Sequence, residues 1–449
     1  MMASIADSTI AVNHDASPLR RVLARIRRVR FRIVTPSVYP NLQAAILRAT
    51  PVRSRIGVPG IEDARAHSMG GFDQLAAEGG LTQIKPAGSR RRENSPVRPD
   101  PPVEMLKRLH ARDRALTLRE KVAHLSHPES YPKKTVAVEV VQTHMSCVFL
   151  TDHHAWKLKK PVRYDFLDFS TLEARRADCE EELRLNRRLA RDVYLEIVPL
   201  AVTPEGALRV GGDGEVVEWL VKMRRLPAQL MLDYAIRHGN VARHHVRRFA
   251  LVLGDFYRHA EPVALDAAQY RQRFERDIRA NHLGLSAPEY SISLDLVQSI
   301  TARQLVVLDR EASLLDRRVT QGKIVEGHGD LRPEHVCLGP DPMFIDCLEF
   351  NRDWRLLDPA DELAYLSMEC EYAGAPWIGG VVFETYREAT GDDPPAALVR
   401  FYKAYRAAVR AKLSAWHLKD HPDPADQGKW IARAQRYLAL ADRYAAPAG

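Results

Sequence analysis

The sequence predicts an α+β chain folded in two halves, and three observations lead there. From residue 135 to residue 223, short apolar runs are separated by turn residues, as the strands of a sheet require. After Pro227 the pattern turns to helices almost throughout. Between those helices lies one irregular strand–loop–strand stretch, residues 324–351, which gathers histidines and aspartates. Strands first and helices afterwards segregate to opposite ends of an α+β fold; a parallel α/β sheet would alternate them. No repeat of about 20–50 residues stands out.

Residues 1–103 read as a separate basic segment. It is Arg-rich from Arg20 to Arg32, then broken by Pro, Gly and Ser, and ends with Arg90-Arg91-Arg92 and prolines at Pro96, Pro99, Pro101 and Pro102. Little apolar surface is available there to bury, so a short amphipathic helix near residues 18–34 is the most structure expected. The preferred reading is a solvated tail, or an artefact of a misplaced start with the real one near Met105. A transit peptide and a basic arm for nucleic acid or anionic lipid are the alternatives.

A charged helix is expected over 104–126, then strands at 135–142, 147–151 and 155–160. Ser170-Thr-Leu-Glu173 reads as a capping box, its hydroxyl and carboxylate satisfying the first free N–H groups of a helix that runs to Ala190. Strands follow at 194–202, 208–210 and 216–223, with Gly211-Gly-Asp-Gly214 as the hairpin turn before the last. Residues 104–226 thus form the strand-rich half. The helical half, 227–449, carries helices at 240–260, 264–282, 293–320, 358–371, 379–390, 394–418 and 425–445.

Charge narrows the function classes. The 449 residues carry 66 Lys and Arg against 58 Asp and Glu, a net of +8. Residues 1–100 hold 16 of the former and 8 of the latter, so the remaining 50 of each cancel. A basic nucleic-acid-binding face on the folded part is therefore not expected, and nucleic acid enters only through the N-terminal arm. No run approaches about 20 uncharged apolar residues, so no membrane span is expected. Five scattered cysteines, never in a C-x-x-C pair, argue against a disulfide framework or zinc cage and for a reducing cytoplasm. The oligomeric state is not legible.

The densest constellation is His328-Gly329-Asp330-Leu331-Arg332-Pro333-Glu334-His335, followed by Phe344-Ile345-Asp346-Cys347. Each aspartate lies beside a short apolar strand. Phosphoryl transfer uses such a pair, one carboxylate to take the proton of the attacking hydroxyl and one to hold Mg²⁺ against the phosphates. The bland alternative is a pair of turn carboxylates. The adjacent pairs His153-His154 and His244-His245 point different ways and do not chelate. No G-x-x-x-x-G-K-[ST] run is present.

His-Gly-Asp-Leu followed by this strand resembles the catalytic loop of aminoglycoside phosphotransferase-like kinases, and the same eight residues look like the H-R-D-L-K-P-E-N loop of protein kinases. The resemblance covers about residues 104 to 445. The runs Thr143-His-Met-Ser146, Trp156-Lys-Leu-Lys-Lys-Pro161 with Phe166-Leu-Asp-Phe-Ser170, and Met223-Arg-Arg-Leu-Pro227 are similar to a bacterial subfamily often fused to a P-loop ATPase.

The resemblance implies a bilobal protein-kinase-like fold and an ATP-dependent phosphotransferase acting on a hydroxyl of a small molecule. It makes Asp330 the catalytic base and Asp346 the metal ligand. Arg332 becomes the charge neutraliser at the catalytic-lysine position, and His328 a brace for the loop. It puts the ATP-anchoring lysine at Lys157 or Lys159, which share one strand face. The partner glutamate is Glu182, with Glu180 as second choice. Ser146 belongs to the phosphate-covering turn and Met223 to the adenine hinge. Asp358-Pro-Ala-Asp361 matches a segment in which an aspartate steadies the catalytic loop, although helix capping explains both residues as well.

Two departures stand out. His335 occupies a position that is Asn in the family pattern, where an amide oxygen holds a second Mg²⁺. Imidazole suits that hard ion poorly, which leaves one metal, Mn²⁺, or an altered loop. No Gly-rich loop covers the phosphates, so residues 143–146 must do so. The alternative function is a catalytically impaired pseudokinase serving as a nucleotide-binding or scaffolding module. For a polar or cationic acceptor, Trp354, Tyr365, Glu369, Glu371 and Trp377 are the candidate contacts, with ordinary packing as the competing explanation of each.

Overall fold

The computed structural model describes residues 116–420 and 424–446, all in one compact unit. The 1–103 segment lies outside the described residues. The two-part α+β architecture expected from the sequence is the one observed.

The sheet-bearing part starts with helix α1 (Leu118–Leu125). Thr117 and Glu120 close a capping box that starts this helix; the part of the expected helix over 104–115 lies outside the described residues. Strands β1 (Glu139–Gln142), β2 (Ser146–Leu150) and β3 (His154–Lys159) follow, then the two-residue pair β4 (Arg163–Tyr164) and β5 (Leu167–Asp168). Helix α2 (Leu172–Asn186) leads to β6 (Tyr194–Val202), β7 (Leu208–Val210) and β8 (Glu215–Arg224). The main sheet is antiparallel in the order β1-β2-β3-β8-β6-β7. Alternation divides β3 cleanly. Trp156 and Leu158 join Phe149, Leu200 and Leu220 on the face covered by α1, whereas Ala155 joins Val148, Val221 and Met223 beneath Cys179 of α2. Lys157 and Lys159 therefore point towards α2.

The cap of α2 corrects the sequence reading. Thr171 accepts from the Ala174 N–H at 3.1 Å, while Ser170 bonds the Asp168 carboxylate instead. The buried residues Arg175, Cys179, Glu182, Leu185 and Asn186 form one helical stripe. Buried Glu218 of β8 ties both helices to the sheet, accepting from Lys121 at 2.9 Å and from Arg175 at 2.8 and 2.9 Å.

The helical part comprises α3 (Leu232–Arg237), α4 (Arg243–His259), α5 (Ala267–Leu285), α6 (Leu294–Arg310), α7 (Ala312–Thr320), α8 (Pro359–Tyr372), α9 (Trp377–Thr390), α10 (Ala396–Asp420) and α11 (Pro424–Ala445). The expected helix 293–320 is broken at Glu311, whose backbone leaves the helical range. Short strands β9 (Val325–Glu326), β10 (Val336–Cys337), β11 (Met343–Phe344) and β12 (Leu356–Leu357) frame the irregular stretch that carries His328, Asp330 and Asp346. One core joins α4, α8 and α9 through Phe249, Leu363, Leu366 and Val382. A second packs α5 against α10 through Phe274, Ile278, Phe401 and Tyr405. Arg318 sits between Asp358 and Asp392 with four charge-assisted bonds of 2.6–2.7 Å, anchoring the start of α8. Among the described residues no helix is long and apolar enough to cross a membrane, and the five cysteines are free and buried.

Candidate active site

A cleft of about 750 Å³ runs between the sheet and the helices. Its sheet wall begins with a buried charge network. Lys157 Nζ lies 2.7 Å from Glu182 Oε1, and Lys159 Nζ lies 2.7 Å from Oε2 of the same carboxylate. The sequence left the two lysines equivalent, but their other partners separate them. Lys159 turns away to Asp178 at 2.5 Å and Glu349 at 2.6 Å. Lys157 lines the cleft and stands 3.5 Å from Asp346 Oδ1. Burial alone would neutralise Lys157, yet the carboxylates of Glu182, Glu349 and Asp346 outweigh it and hold the ammonium above its ordinary pKa. Glu180, the second choice, is an exposed partner of Arg176 on the outer face of α2.

The loop after β9 places the next groups. Gly329 has φ +86°, a conformation an L residue rarely adopts, and so turns the chain to present Asp330. Buried His328 donates from Nε2 to the Ile345 carbonyl at 2.9 Å, and its Nδ1 accepts from the Asp330 N–H at 3.3 Å. Desolvation, only partly opposed by Glu362, lowers its pKa to about 4, so the ring is neutral. Asp330 accepts from Tyr365 Oη at 3.1 Å and pairs with Arg332 Nη2 at 2.9 Å. Burial would raise its pKa, but Arg332, His335 and Arg410 hold the carboxyl well below the usual range.

Glu362 is the residue the sequence reading missed. It accepts from the backbone N–H groups of His328 (3.1 Å) and Gly329 (2.5 Å), and from Tyr257 Oη (2.6 Å). The loop-steadying role assigned to an aspartate at 358 or 361 is therefore filled by the next acidic residue. Asp358 caps α8 through the Ala360 N–H, and Asp361 is held by Arg406 at 2.7 and 2.6 Å.

Asp346 sits at φ +61°, one of two non-glycine residues with positive φ among those described. Its N–H donates to Tyr194 Oη at 3.0 Å. Burial, reinforced by Glu349, Glu182 and Asp330 and opposed by Lys157, raises its pKa to about 7. A divalent cation would relieve this crowding, so the charge distribution fits one. His335 donates from Nδ1 to the Asp330 carbonyl at 2.7 Å. Its Nε2 then accepts from Arg332 Nη2 at 3.3 Å and lies 3.5 Å from Asp346 Oδ2. Burial and Arg332 lower its pKa to about 4, keeping it neutral; a cation at Nε2 would have to displace the Arg332 bond. No cluster of three or more His, Cys, Asp or Glu forms a metal cage among the described residues. Phosphate oxygens and water would have to complete the shell, as is usual for Mg²⁺. Buried Arg355 pins the segment that follows, donating to the carbonyls of Leu348 (3.0 Å) and Glu349 (2.8 Å).

Not every predicted residue reaches this cleft. Ser146 and Thr143 line it at the β1–β2 turn, where the Ser146 N–H donates to Thr143 Oγ1 at 3.0 Å. Met223 does not; it is buried in a tight packing gap with Ala155, Val193, Tyr194, Arg224, Leu226 and Ile345. Trp354 and Tyr365 line the cleft. Glu369 is instead buried against Arg410 at 2.7 Å and Tyr437 at 2.9 Å, Glu371 pairs with Arg443, and Trp377 is exposed.

No family model matches the chain. It is 32% identical over 314 residues to a Mycobacterium tuberculosis protein and a Mycobacterium bovis protein, both described as uncharacterized; the match covers 68% of this chain and 59% of each relative. The chain thus spans about three fifths of the length of the curated relatives it matches. Among solved structures it is similar to a choline/ethanolamine kinase family protein of Mesorhizobium loti (15% identity, 72% of this chain and 99% of that one, TM-score 0.39). It is also similar to an ethanolamine kinase of Plasmodium vivax (11% identity, 77% and 95%, TM-score 0.42). A thermostable mutant of aminoglycoside phosphotransferase APH(4)-Ia is a third such structure (12% identity, 68% and 95%, TM-score 0.40).

Proposed function

We propose that the chain is an aminoglycoside phosphotransferase-like kinase that moves the γ-phosphoryl group of ATP to a hydroxyl of a small molecule. The observation that carries this reading is the convergence of four distant segments on one cleft. Lys157 from β3, Asp330 from the loop after β9 and Asp346 after β11 line it, with Glu182 from α2 behind Lys157. Turn carboxylates with no shared purpose would not meet a buried lysine–glutamate pair.

In this reading the nucleotide enters the cleft that Lys157 lines; the gap at Met223 is too small to hold even a water molecule and does not seat the adenine. Lys157, fixed by Glu182, meets the phosphates, with the Ser146 turn above them. Asp346 and His335 would hold a divalent ion, Mg²⁺ or Mn²⁺, which neutralises phosphate charge; imidazole suits Mn²⁺ better. Asp330 orients the acceptor hydroxyl and takes its proton as the oxygen bonds to the γ-phosphorus. The bond from that phosphorus to the β,γ-bridging oxygen breaks, and ADP leaves. Arg332, paired with Asp330, keeps the base ionised. Helices α5, α8 and α10 wall the acceptor side, which favours a small molecule over a protein substrate.

A second reading, a nucleotide-binding module without transfer, is favoured by one observation: His335 stands where the resemblance has Asn. The test is ATP turnover with Mg²⁺ and with Mn²⁺ against a panel of hydroxylated metabolites, sugars and aminoglycosides, for wild type and Asp330→Asn. Acceptor-dependent ADP formation that Asp330→Asn abolishes supports the kinase. Nucleotide binding with no transfer to any acceptor supports the second reading.

A further inference from the structure

The helical wall of the cleft holds two polar groups that the mechanism does not use. Asn281 of α5 is 2% exposed and lines the cleft, yet neither its Oδ1 nor its Nδ2 has a hydrogen-bond partner. A buried amide left empty at both ends is costly, and native interiors rarely tolerate it without a ligand or water to complete it. Opposite it on α10, Lys412 also lines the cleft and is 8% exposed, with no carboxylate of the described residues within ion-pair distance. Its ammonium lies over the Trp416 ring, 5.0 Å from the centroid. Its stem lies against Gly284, where an added Cβ would come within 2.7 Å of the Lys412 Cδ; only glycine leaves that path open.

The neighbouring charges do not neutralise Lys412. Asp277 is already engaged by Arg276 at 3.0 Å and by Tyr405 Oη at 3.1 Å. Arg406 and Arg410 are matched by Asp361 and Glu369. Arg273 donates to the carbonyls of Asp353 and Leu356 and keeps its charge. Against Lys412 and Arg273 stands the exposed Asp165 at the rim. Burial, weakly opposed by Asp277, lowers the Lys412 pKa to about 8, the signature of an amine short of a counter-ion.

We propose that the hydroxyl acceptor carries an anionic group, a carboxylate or a phosphate, and that Lys412 and Asn281 hold it. This rests on the phosphotransferase reading above and gives its acceptor a charge. Lys412 supplies the counter-charge, and the Asn281 amide donates to an anion oxygen and accepts from a hydroxyl of the same molecule. A cationic acceptor would meet an unneutralised ammonium here instead.

The test uses the full chain with ATP and Mg²⁺ and two matched probe sets. One is glycerol, glycerate, glycerol 3-phosphate and 3-amino-1,2-propanediol; the other is glucose, gluconate, glucose 6-phosphate and glucosamine. Calorimetric titration is expected to show at least one anionic probe binding tenfold or more tighter than its neutral and cationic counterparts. Whether carboxylate or phosphate wins identifies the group. Lys412→Met is expected to weaken that probe at least tenfold and Asn281→Leu severalfold, while ATP affinity moves less than twofold. In unmodified protein the same probe should slow acylation of Lys412 by an amine-reactive ester at pH 8 at least fivefold, read by peptide mass spectrometry. Equal binding of the neutral or cationic probes, unchanged binding in Lys412→Met, or no anionic binding while ATP binds overturns the anionic acceptor. Failure of ATP itself to bind overturns the kinase reading and this inference with it.

Discussion

On the sheet side of the cleft, Lys157 and Lys159 are buried among four carboxylates, and each ammonium has a partner within 2.7 Å. On the helical side Lys412 is buried too, yet its nearest electrostatic partner, Asp277, is spoken for by Arg276 and Tyr405. The two walls thus handle the same problem in opposite ways. Paired charges fix a geometry, because separating them strands a charge in low dielectric. An unpaired buried charge weakens the fold and marks a place where something else must bind. In this reading the sheet wall positions the nucleotide phosphates and the helical wall waits for the acceptor.

The largest effect that would break this comparison lies at its centre. Asp330→Asn is expected to lower turnover by roughly 10²- to 10⁴-fold, the usual worth of a general base. ATP affinity should change by less than twofold, measured by steady-state kinetics beside calorimetry. Next, Glu182→Gln removes the carboxylate shared by two lysines and should cost about 3 kcal/mol or more of unfolding free energy, read by urea titration. Glu362→Gln weakens charge-assisted bonds to the His328 and Gly329 N–H groups. It should cost about 2 kcal/mol and reduce turnover while leaving the pH optimum in place.

The opposite sign is expected on the other wall. Lys412→Met removes an unpaired buried ammonium and should raise stability by on the order of 1 kcal/mol, even as it weakens the acceptor. A mutation that stabilises on one wall, set beside one that destabilises on the other, is the sharpest form of the contrast.

An effect of comparable size concerns pH. The Asp346 pKa is raised from 3.8 to about 7, so between these values the folded protein holds a proton that the unfolded chain has released. Its contribution therefore makes stability fall as pH rises through that window. A bound cation favours the ionised form, so with Mg²⁺ in excess, ATP affinity should rise about tenfold between pH 6 and pH 8 and then level off. A flat profile across that range would contradict the placement of the cation at Asp346.

Much of this was legible because local rules carried it. Strands β6 and β7 fall where the sequence put them, since their runs end at turn residues and pair through a hairpin-rich segment. Glu182 was legible only through the family resemblance, with Glu180 as second choice; the helical stripe it shares with Cys179 and Leu185 is what turns it inward. Other features failed for identifiable reasons. Ser170 and Thr171 are adjacent hydroxyls, and only the competing bond from Ser170 to Asp168 decides which caps α2. Glu362 was hidden beside two aspartates that helix capping already explained. Lys157 and Lys159 are indistinguishable until the tertiary partners Asp178 and Asp346 take sides. Asn281 and Lys412 gave no signal, because each looks like an ordinary helix residue until α5 packs on α10.

In the proposed reading Asp346 and Lys157 together seat a metal-bound nucleotide in this cleft. Calorimetric titration of the full chain with ATP, with Mg²⁺ or Mn²⁺ and then with EDTA, tests it most directly when Asp346→Asn is run alongside. One site per chain is expected, dependent on the cation and weakened at least tenfold in Asp346→Asn. Absence of ATP binding in wild type, or binding indifferent to both the cation and Asp346, would contradict it.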